Sequence, residues 1–146
     1  MLRIDSVEAS EILDIRLAVL RKGMRIEDCH FEGDNDSSTC HLVAKDHTKA
    51  VGCCSLMKKD WSENENLSYQ LRGMAVLEPH QGRGIGAELL RAAEGIVRDK
   101  NAELIWFNAR IGAVNFYQKF GYEIVSDEFE ISGVGPHVKM LKRLLQ

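Results

Sequence analysis

The residues with the clearest chemical potential form a glycine-rich segment in the middle of the 146-residue chain. It reads Gln81-Gly82-Arg83-Gly84-Ile85-Gly86-Ala87 and follows a predicted strand. Glycine permits a tight turn and lets a ligand approach the backbone closely. The amides that open a following helix have no intrahelical acceptor, and the helix dipole favours negative charge beside them. The segment therefore predicts a pyrophosphate-binding loop, to which Arg83 adds a mobile cation.

Three other interpretations of this segment compete with that prediction. The simplest is a strand-to-helix turn that binds nothing. Gly82-x-Gly84-x-x-Ala87 also satisfies the relaxed dinucleotide fingerprint, with Glu103 near the expected distance downstream. That fingerprint normally begins a longer doubly wound sheet, whereas only about sixty residues follow here. A Walker loop fails because the chain has no Gly-Lys-Ser/Thr sequence.

Hydrophobic periodicity predicts the elements that position this loop. Apolar residues on one helical face predict a helix over residues 85–98. Shorter helices are predicted after Ser6, which would serve as the N-cap, and over residues 113–120. Residues 28–38 and 61–66 are predicted loops. Strands are predicted over residues 2–5, 39–45, 50–58, 67–77, 104–108, 122–131 and 137–144. Strands that first outnumber helices and then alternate with them favour a mixed α/β fold, in a single domain over residues 1–146.

Two motifs, about thirty residues apart, carry a resemblance to a known family. Gln81-x-x-Gly84-x-Gly86 resembles the coenzyme A pyrophosphate loop of the GCN5-related N-acetyltransferase (GNAT) superfamily. The run AVNFYQKFGY over residues 113–122 is similar to that family's second signature. The two chain ends add a fainter similarity to the ElaA-like subgroup. Because order and spacing both agree, the resemblance favours coenzyme A over a dinucleotide.

The resemblance implies a fold and an acyl donor. The implied fold is a mixed sheet of six or seven strands, with strands four and five splayed, flanked by about four helices. The donor is acetyl-CoA, whose pyrophosphate lies on Gln81, Gly82, Arg83, Gly84, Ile85, Gly86 and Ala87. Backbone groups of strand four hold the pantetheine arm, and one amide there stabilises the carbonyl oxyanion; these residues are Met74, Ala75 and Val76. Asn108 and Asn115 bond the cofactor's amide or phosphate groups, although a role in capping or bracing its helix fits Asn115 equally well.

The implied reaction is direct transfer of an acetyl group to a primary amine of a small molecule or protein, an acyltransferase of EC 2.3.1 type. Tyr117 matches the family's tyrosine that donates a proton to the departing thiolate; the alternative is a core aromatic. Many members carry a glutamate base on strand four, where this chain holds Gln70 and Arg72. The base is therefore not assigned, and His80 and His137 fit structural roles better. The missing glutamate also leaves open a coenzyme A-binding sensor without turnover.

Composition limits the partners and the compartment. The chain is 45% hydrophobic and 28% charged, with a net charge of −3, and it shows no Lys/Arg cluster that would indicate nucleic-acid binding. The sequence has no apolar run of signal-peptide or membrane-spanning length, so a cytoplasmic protein that does not bind membranes is expected. Terminal strands often pair across dimers in the family, so the resemblance allows a homodimer.

The cysteine and histidine pattern argues against a metal site. Cys29-His30 and Cys40-His41 form repeated pairs, but adjacent residues on a strand face opposite ways. The Cys-x-x-Cys spacing typical of zinc sites does not occur. The four cysteines are instead expected to be buried thiols rather than disulfides.

Overall fold

A computed structural model describes residues 1–61 and 67–144. Apart from Trp61, the predicted loop over residues 61–66 lies outside the described residues. The chain divides into two compact units. The first contains Met1–Lys58 and Leu71–Ile96, and the second contains Lys59–Gln70 and Val97–Gln146.

The first unit is built on antiparallel strands. Its elements are β1 (Leu2–Val7), α1 (Leu13–Val19), β2 (Cys40–Asp46), β3 (Lys49–Lys58), the larger part of β4 (Ser68–Val76) and most of α2 (Ile85–Asp99). β2 pairs antiparallel with both β1 and β3, and the Leu77 amide after β4 donates to the Val51 carbonyl at 2.9 Å. The amphipathic α1 region buries Ile12 and Ile15 against Val43, Cys53 and Ala75. This apolar contact holds the helix on the sheet.

The predicted helix after Ser6 begins later than expected. Ser6 still pairs with Leu42 inside β1, and a 3₁₀ turn over Ala9–Glu11 precedes α1. The capping prediction was wrong because β1 forms ladder hydrogen bonds with β2 along its whole length, which outweighs a local serine preference.

The second unit is organised around its last strand. Its elements are the first three residues of β4, β5 (Leu104–Arg110), α3 (Val114–Gln118), β6 (Glu123–Ile124), β7 (Phe129–Ile131) and β8 (Gly135–Arg143). Ser68–Gln70 of β4 run parallel to the start of β5, and β8 pairs antiparallel with β5, β6 and β7. Leu104, Trp106 and Leu141 form a buried cluster in this unit.

The single strand predicted over residues 122–131 is two short strands. β6 and β7 both pair with β8, but the polar run Ser126-Asp127-Glu128 interrupts the alternation between them. Ser126 Oγ accepts the Lys139 amide at 2.8 Å, so the interruption still satisfies a backbone group of β8. Side-chain bonding to the backbone replaces the regular ladder here.

The mixed α/β fold predicted from sequence is confirmed. The strands follow the order β1-β2-β3-β4-β5-β8-β6, with β7 also on β8. Residues 1–61 and 67–144 contain eight strands and three α-helices, compared with the expected six or seven strands and about four helices. The extra strand comes from the split described above, and only a 3₁₀ turn (Ile26–Cys29) forms between α1 and β2. The parallel register of β4 with β5 covers three residue pairs of the nine-residue β4.

Candidate active site

The glycine loop presents an open backbone ahead of α2. Gly82 and Gly84 adopt φ angles of +83° and +79°, a region that side-chain-bearing residues rarely occupy. A Cβ built at either glycine meets nothing within 4 Å, so the space beside both is open. The first intrahelical bond runs from Glu88 N to Gly84 O at 3.1 Å. The amides of Ile85, Gly86 and Ala87 therefore have no acceptor within the helix and suit an anion.

The start of the loop is tied to the end of β4. Gln81 Nε2 donates to the Val76 carbonyl at 3.0 Å. Ala75 is buried, and its carbonyl lies so close to Gly52 that a Cβ there would sit 3.1 Å from the oxygen. Met74 and Val76 are half-buried. The predicted pantetheine residues and the predicted pyrophosphate loop thus belong to one unit and are braced together.

Arg83 is an ion-paired residue in this structure rather than a mobile cation. Its Nη2 donates to Asp46 Oδ2 at 3.0 Å, and its Nη1 donates to His80 Nδ1 at 2.7 Å. The hydrogen bond from Arg83 is the main reason why the pKa of Asp46 is lowered. Arg83 is exposed, so exchanging this partner for a phosphate is sterically open.

Tyr117 lies in an aromatic cluster of the second unit. Its ring centroid is 4.2 Å from that of Phe107, against which the ring is tilted, and 5.1 Å from that of Phe116, to which it stands edge-on. Tyr122 stands 6.1 Å away, nearly perpendicular. Tyr117 is 8% exposed. A rigid aromatic setting fixes the direction of the phenol.

The two predicted asparagines have different surroundings. Asn108 Oδ1 accepts a hydrogen bond from Lys139 Nζ at 3.1 Å. Burial lowers the pKa of Lys139, and the neighbouring Lys59 adds to that effect. Asn115 is exposed, and it does not cap α3, because the N-cap position is Ala113 and no side chain caps it. The capping alternative for Asn115 was therefore wrong.

The histidines and the strand-four glutamine have ordinary environments. His137 is buried, and its Nδ1 donates to the Gly135 carbonyl at 2.8 Å. Gln70 is buried in β4 at 6% exposure. His80 contacts Arg83, as noted above. None of these contacts assigns a general base.

A buried polar network was missed by the sequence reasoning. Arg16 is fully buried in α1, and its Nη1 and Nη2 donate to Asp34 at 2.7 and 3.0 Å. The same groups also donate to the Cys29 carbonyl and to Ser55 Oγ. His41 Nε2 donates to the Asp34 carbonyl at 2.8 Å. The available signal was an arginine inside the apolar stripe Ile12-Ile15-Arg16-Val19, because buried arginine requires a partner.

Three guanidinium groups surround one aromatic ring in the first unit. Arg16, Arg21 and Arg72 have their guanidinium carbons 3.8, 5.6 and 4.5 Å from the Phe31 ring centroid. We call this set the Phe31 arginine cluster. Phe31 packs so closely on β4 that a Cβ at Gly73 would lie 2.9 Å from its ring, and Gly73 has a φ of +64°. The glycine and the ring therefore fix the cluster against the strand.

The cysteines are unpaired thiols. Cys29, Cys53 and Cys54 are buried, whereas Cys40 is partly exposed. Burial raises the pKa of Cys53 to about 12, and burial also raises the pKa of Cys54 well above that of a free thiol. Residues 1–61 and 67–144 contain no group of three or more His, Cys, Asp or Glu side chains arranged to hold a metal ion. Within the same ranges, no helix is long and apolar enough to cross a membrane.

Comparison with known proteins places this loop and fold in a family. The sequence pattern of the acetyltransferase (GNAT) family matches residues 8–122. The uncharacterized N-acetyltransferase YitI of Bacillus subtilis (strain 168) is 28% identical over 145 residues, covering 99% of this chain and 97% of YitI. The chain therefore belongs to the GNAT acetyltransferase family, and its enzyme class is acetyl-CoA-dependent acyltransferase.

Solved structures of family members share the fold of this chain. Escherichia coli ElaA superposes with a TM-score of 0.75 at 20% identity, covering 97% of this chain and 99% of that chain. A GNAT family acetyltransferase from Elizabethkingia anophelis with acetyl-CoA bound gives a TM-score of 0.71 at 19% identity, covering 98% of both chains. At these identities the likeness is one of fold, so the ElaA-like subgroup stays a prediction.

Proposed function

We propose that this protein transfers an acetyl group directly from acetyl-CoA to a primary amine of a small molecule or protein. The observation that carries the proposal is the open glycine loop ahead of α2, with positive φ angles at Gly82 and Gly84 and unobstructed space beside both. Three helix-opening amides and Arg83 supply positive potential for a pyrophosphate. The family match and an acetyl-CoA-bound family structure support the choice of ligand.

The donor-binding residues follow from that loop. Backbone groups of residues 81–87 bind the pyrophosphate, and Arg83 leaves Asp46 to contact a phosphate oxygen. Backbone groups of Met74, Ala75 and Val76 hold the pantetheine arm in the manner of an added strand. Asn108 and Asn115 contribute side-chain amides to cofactor amide or phosphate groups. A backbone amide at the end of β4 stabilises the oxyanion as the thioester carbonyl is attacked.

The proposed transfer moves one proton onto sulfur and removes one from the amine. The amine nitrogen forms a bond to the thioester carbon, the carbon–sulfur bond breaks, and Tyr117 donates its phenolic proton to the departing thiolate. Gln70 and Arg72 occupy the positions where a carboxylate base would stand, so no side chain of β4 is assigned as base. The amine enters neutral, or loses its ammonium proton to water; after attack its nitrogen releases one further proton to water, and water returns a proton to the Tyr117 phenolate.

Ligand-dependent melting tests the donor assignment. We expect acetyl-CoA and coenzyme A to raise the melting temperature and NAD to leave it unchanged, because binding to the folded state alone stabilises it. Stabilisation by NAD but not by acetyl-CoA would favour the dinucleotide alternative. Free-thiol release across an amine panel then separates an enzyme from a coenzyme A-binding sensor. The sensor alternative rests on the missing strand-four carboxylate, and binding without thiol release would support it.

Removing the Tyr117 hydroxyl tests the acid assignment. Tyr117→Phe keeps the ring packed on Phe107, so we expect turnover to fall by about 100-fold or more, with little change in the KM for acetyl-CoA. Tyr122→Phe is a matched control, because it removes the same hydroxyl from the same aromatic cluster. The assignment fails if Tyr117→Phe has wild-type turnover and an unchanged pH profile.

A further inference from the structure

The Phe31 arginine cluster carries more positive charge than its neighbours neutralise. Within residues 1–61 and 67–144, Arg16 is the one member of the cluster that is hydrogen-bonded to a carboxylate. It makes a bidentate contact with Asp34, in which Nη1 and Nη2 donate to the two carboxylate oxygens. Arg21 and Arg72 have no carboxylate partner in the described ranges. The remaining acid near Arg72 is Glu32, which is exposed. Of the three guanidinium groups, one is therefore paired with a carboxylate in the described ranges.

Two nitrogen atoms of the cluster are also shut off from water. Arg16 Nε and Arg21 Nε are buried and have no hydrogen-bond partner in the described part of the chain. A buried donor without an acceptor is unfavourable, and native proteins rarely leave one without a reason. Burial lowers the pKa of Arg72, and the neighbouring Arg16 adds to this. The cluster is thus partly desolvated and repels itself, which an anion would relieve.

We propose that the Phe31 arginine cluster binds a carboxylate or phosphate group of the amine acceptor, with Arg21 and Arg72 as the residues that select an acidic substrate. This inference rests on the proposed function. Guanidinium groups suit such anions because they offer parallel donors that match two oxygen atoms. The guanidinium carbons of Arg21 and Arg72 lie over the Phe31 ring, at 5.6 and 4.5 Å from its centroid, so the ring brings two cationic groups to one place.

The position of Arg72 points to the acceptor rather than to the donor. Arg72 lies on β4 two residues before Met74, on the strand to which the pantetheine arm is assigned. The donor's phosphates are assigned to the loop that follows β4 in the chain, whereas Arg72 precedes the pantetheine residues. Phe31 and Arg21 come from the segment between α1 and β2, which belongs to no strand, and binding residues often lie on such connecting segments. A segment of this kind is suited to selecting the acceptor.

A purely structural role predicts different behaviour. If the arginines only stack on Phe31, replacing one changes stability but leaves the choice of acceptor unchanged. If they bind an anion, the replacement changes the KM for acidic amines and leaves neutral amines and kcat nearly unaffected. The two roles are therefore separable by comparing matched acceptors.

The turnover experiment compares pairs of acceptor amines in which one member carries a carboxylate or phosphate group and the other does not. α-Amino acids are paired with their carboxamides, and phosphoethanolamine is paired with ethanolamine, so the two arms distinguish carboxylate from phosphate. We expect kcat/KM to favour the acidic member of one pair by about tenfold or more, as suits a charge-assisted hydrogen bond. The carboxamide is the weaker base and has more free amine, so intrinsic reactivity works against the expected preference.

Variants assign that preference to the cluster. Arg72→Gln and, separately, Arg21→Gln should reduce the preference several-fold through KM, and Arg72→Lys should restore part of it. Arg3→Gln is the matched control, since Arg3 is an exposed arginine of β1 paired with Asp5. A preference that survives both cluster variants, or acidic and neutral amines used equally by the wild type, overturns the inference while leaving the proposed acetyl transfer intact.

A binding measurement keeps the inference testable without turnover. The wild-type chain is saturated with coenzyme A, so that the glycine loop is occupied, and is titrated with sulfate while the arginine Nε–H NMR signals are recorded. We expect the signals of Arg21 and Arg72 to shift with saturation, and the shift to weaken in Arg72→Gln. Unmoved signals count against the anion site. Failure of coenzyme A to bind at all instead contradicts the proposed function, and sulfate alone then still tests the cluster.

Discussion

Asp34 is the residue that joins α1 to the segment before β2. Its carboxylate accepts two bonds from the fully buried Arg16 and one from the Phe31 amide at 2.9 Å. Removing one partner of a buried ion pair leaves the other charge without compensation. We expect Asp34→Asn to lower the free energy of unfolding by about 3–5 kcal/mol, measured by urea denaturation. Asp5→Asn removes the half-buried partner of the exposed Arg3 and should change the free energy of unfolding by less than about 1 kcal/mol.

The same carboxylate predicts how stability depends on pH. Burial alone would raise the pKa of Asp34, but the hydrogen bonds from Arg16 and the Phe31 amide outweigh it, and the pKa is lowered. A carboxyl group with a lowered folded-state pKa stabilises the protein above its unfolded pKa of about 3.9. That contribution is lost as the pH falls through the folded-state pKa. The stability difference between wild type and Asp34→Asn should therefore be full at neutral pH and shrink in acid; a constant difference would contradict this.

At the scale of elements, glycine is required by the backbone angles of the glycine loop, whereas inside α2 it is less favourable than alanine. Gly84 has a φ of +79° and precedes the helix, whereas Gly95 lies inside α2 with open space beside it. Gly84→Ala adds strain of about 1 kcal/mol or more and places a methyl group where the pyrophosphate is proposed to lie. We expect coenzyme A affinity to fall by about tenfold or more, measured by calorimetry.

Gly95→Ala is the matched control for that loop variant. Alanine is favoured over glycine in a helix interior, so this change should stabilise the protein by about 0.5–1 kcal/mol and leave coenzyme A affinity unchanged. If Gly84→Ala bound coenzyme A as tightly as Gly95→Ala, the loop would not be the pyrophosphate site.

Elements whose signal is local could be predicted from sequence. The strands and α2 were recovered to within a few residues, because hydrophobic periodicity and the glycine run are encoded in neighbouring positions. The start of α1 was not, because β1 pairing with β2 overrides the preference of Ser6. The division of β6 from β7 was also missed, since it depends on Ser126 bonding the backbone of β8.

In the candidate site too, features encoded by neighbouring residues could be predicted, and features assembled by the fold could not. The tight backbone of the glycine loop was predictable because its angles depend on glycine itself, and Gly82 and Gly84 have positive φ; the binding of a pyrophosphate there stays a prediction. The Phe31 arginine cluster was not, because its members come from α1, the segment after it and β4. Only the fold brings such residues together. Arg16 inside an apolar stripe was the one local sign, and it indicates a buried partner without naming it.

At the scale of the whole molecule, the buried thiols report on opening of the fold. Cys29, Cys53 and Cys54 are at 0% exposure, and Cys53 and Cys54 stand on β3, which pairs with β2 along its length. With its pKa raised to about 12 by burial, Cys53 carries almost no reactive thiolate at neutral pH. A reagent therefore reaches Cys53 and Cys54 only after the strands separate, and the buried Cys29 only after the 3₁₀ turn Ile26–Cys29 leaves the core. We expect the reaction of all three to follow unfolding rather than local fluctuation.

We accordingly expect one thiol of the native protein, that of Cys40, to react with a small disulfide reagent, because it alone of the four is partly exposed. The other three should react together in denaturant, at a rate that rises with the unfolding rate. Cys40→Ser should leave the native protein almost unreactive, while the unfolded variant still shows three thiols. Rapid native labelling of Cys53 or Cys54 would mean that β3 opens without global unfolding. The Cys40→Ser variant also removes the protein's own signal from a thiol-release assay, so turnover can be measured against a silent background.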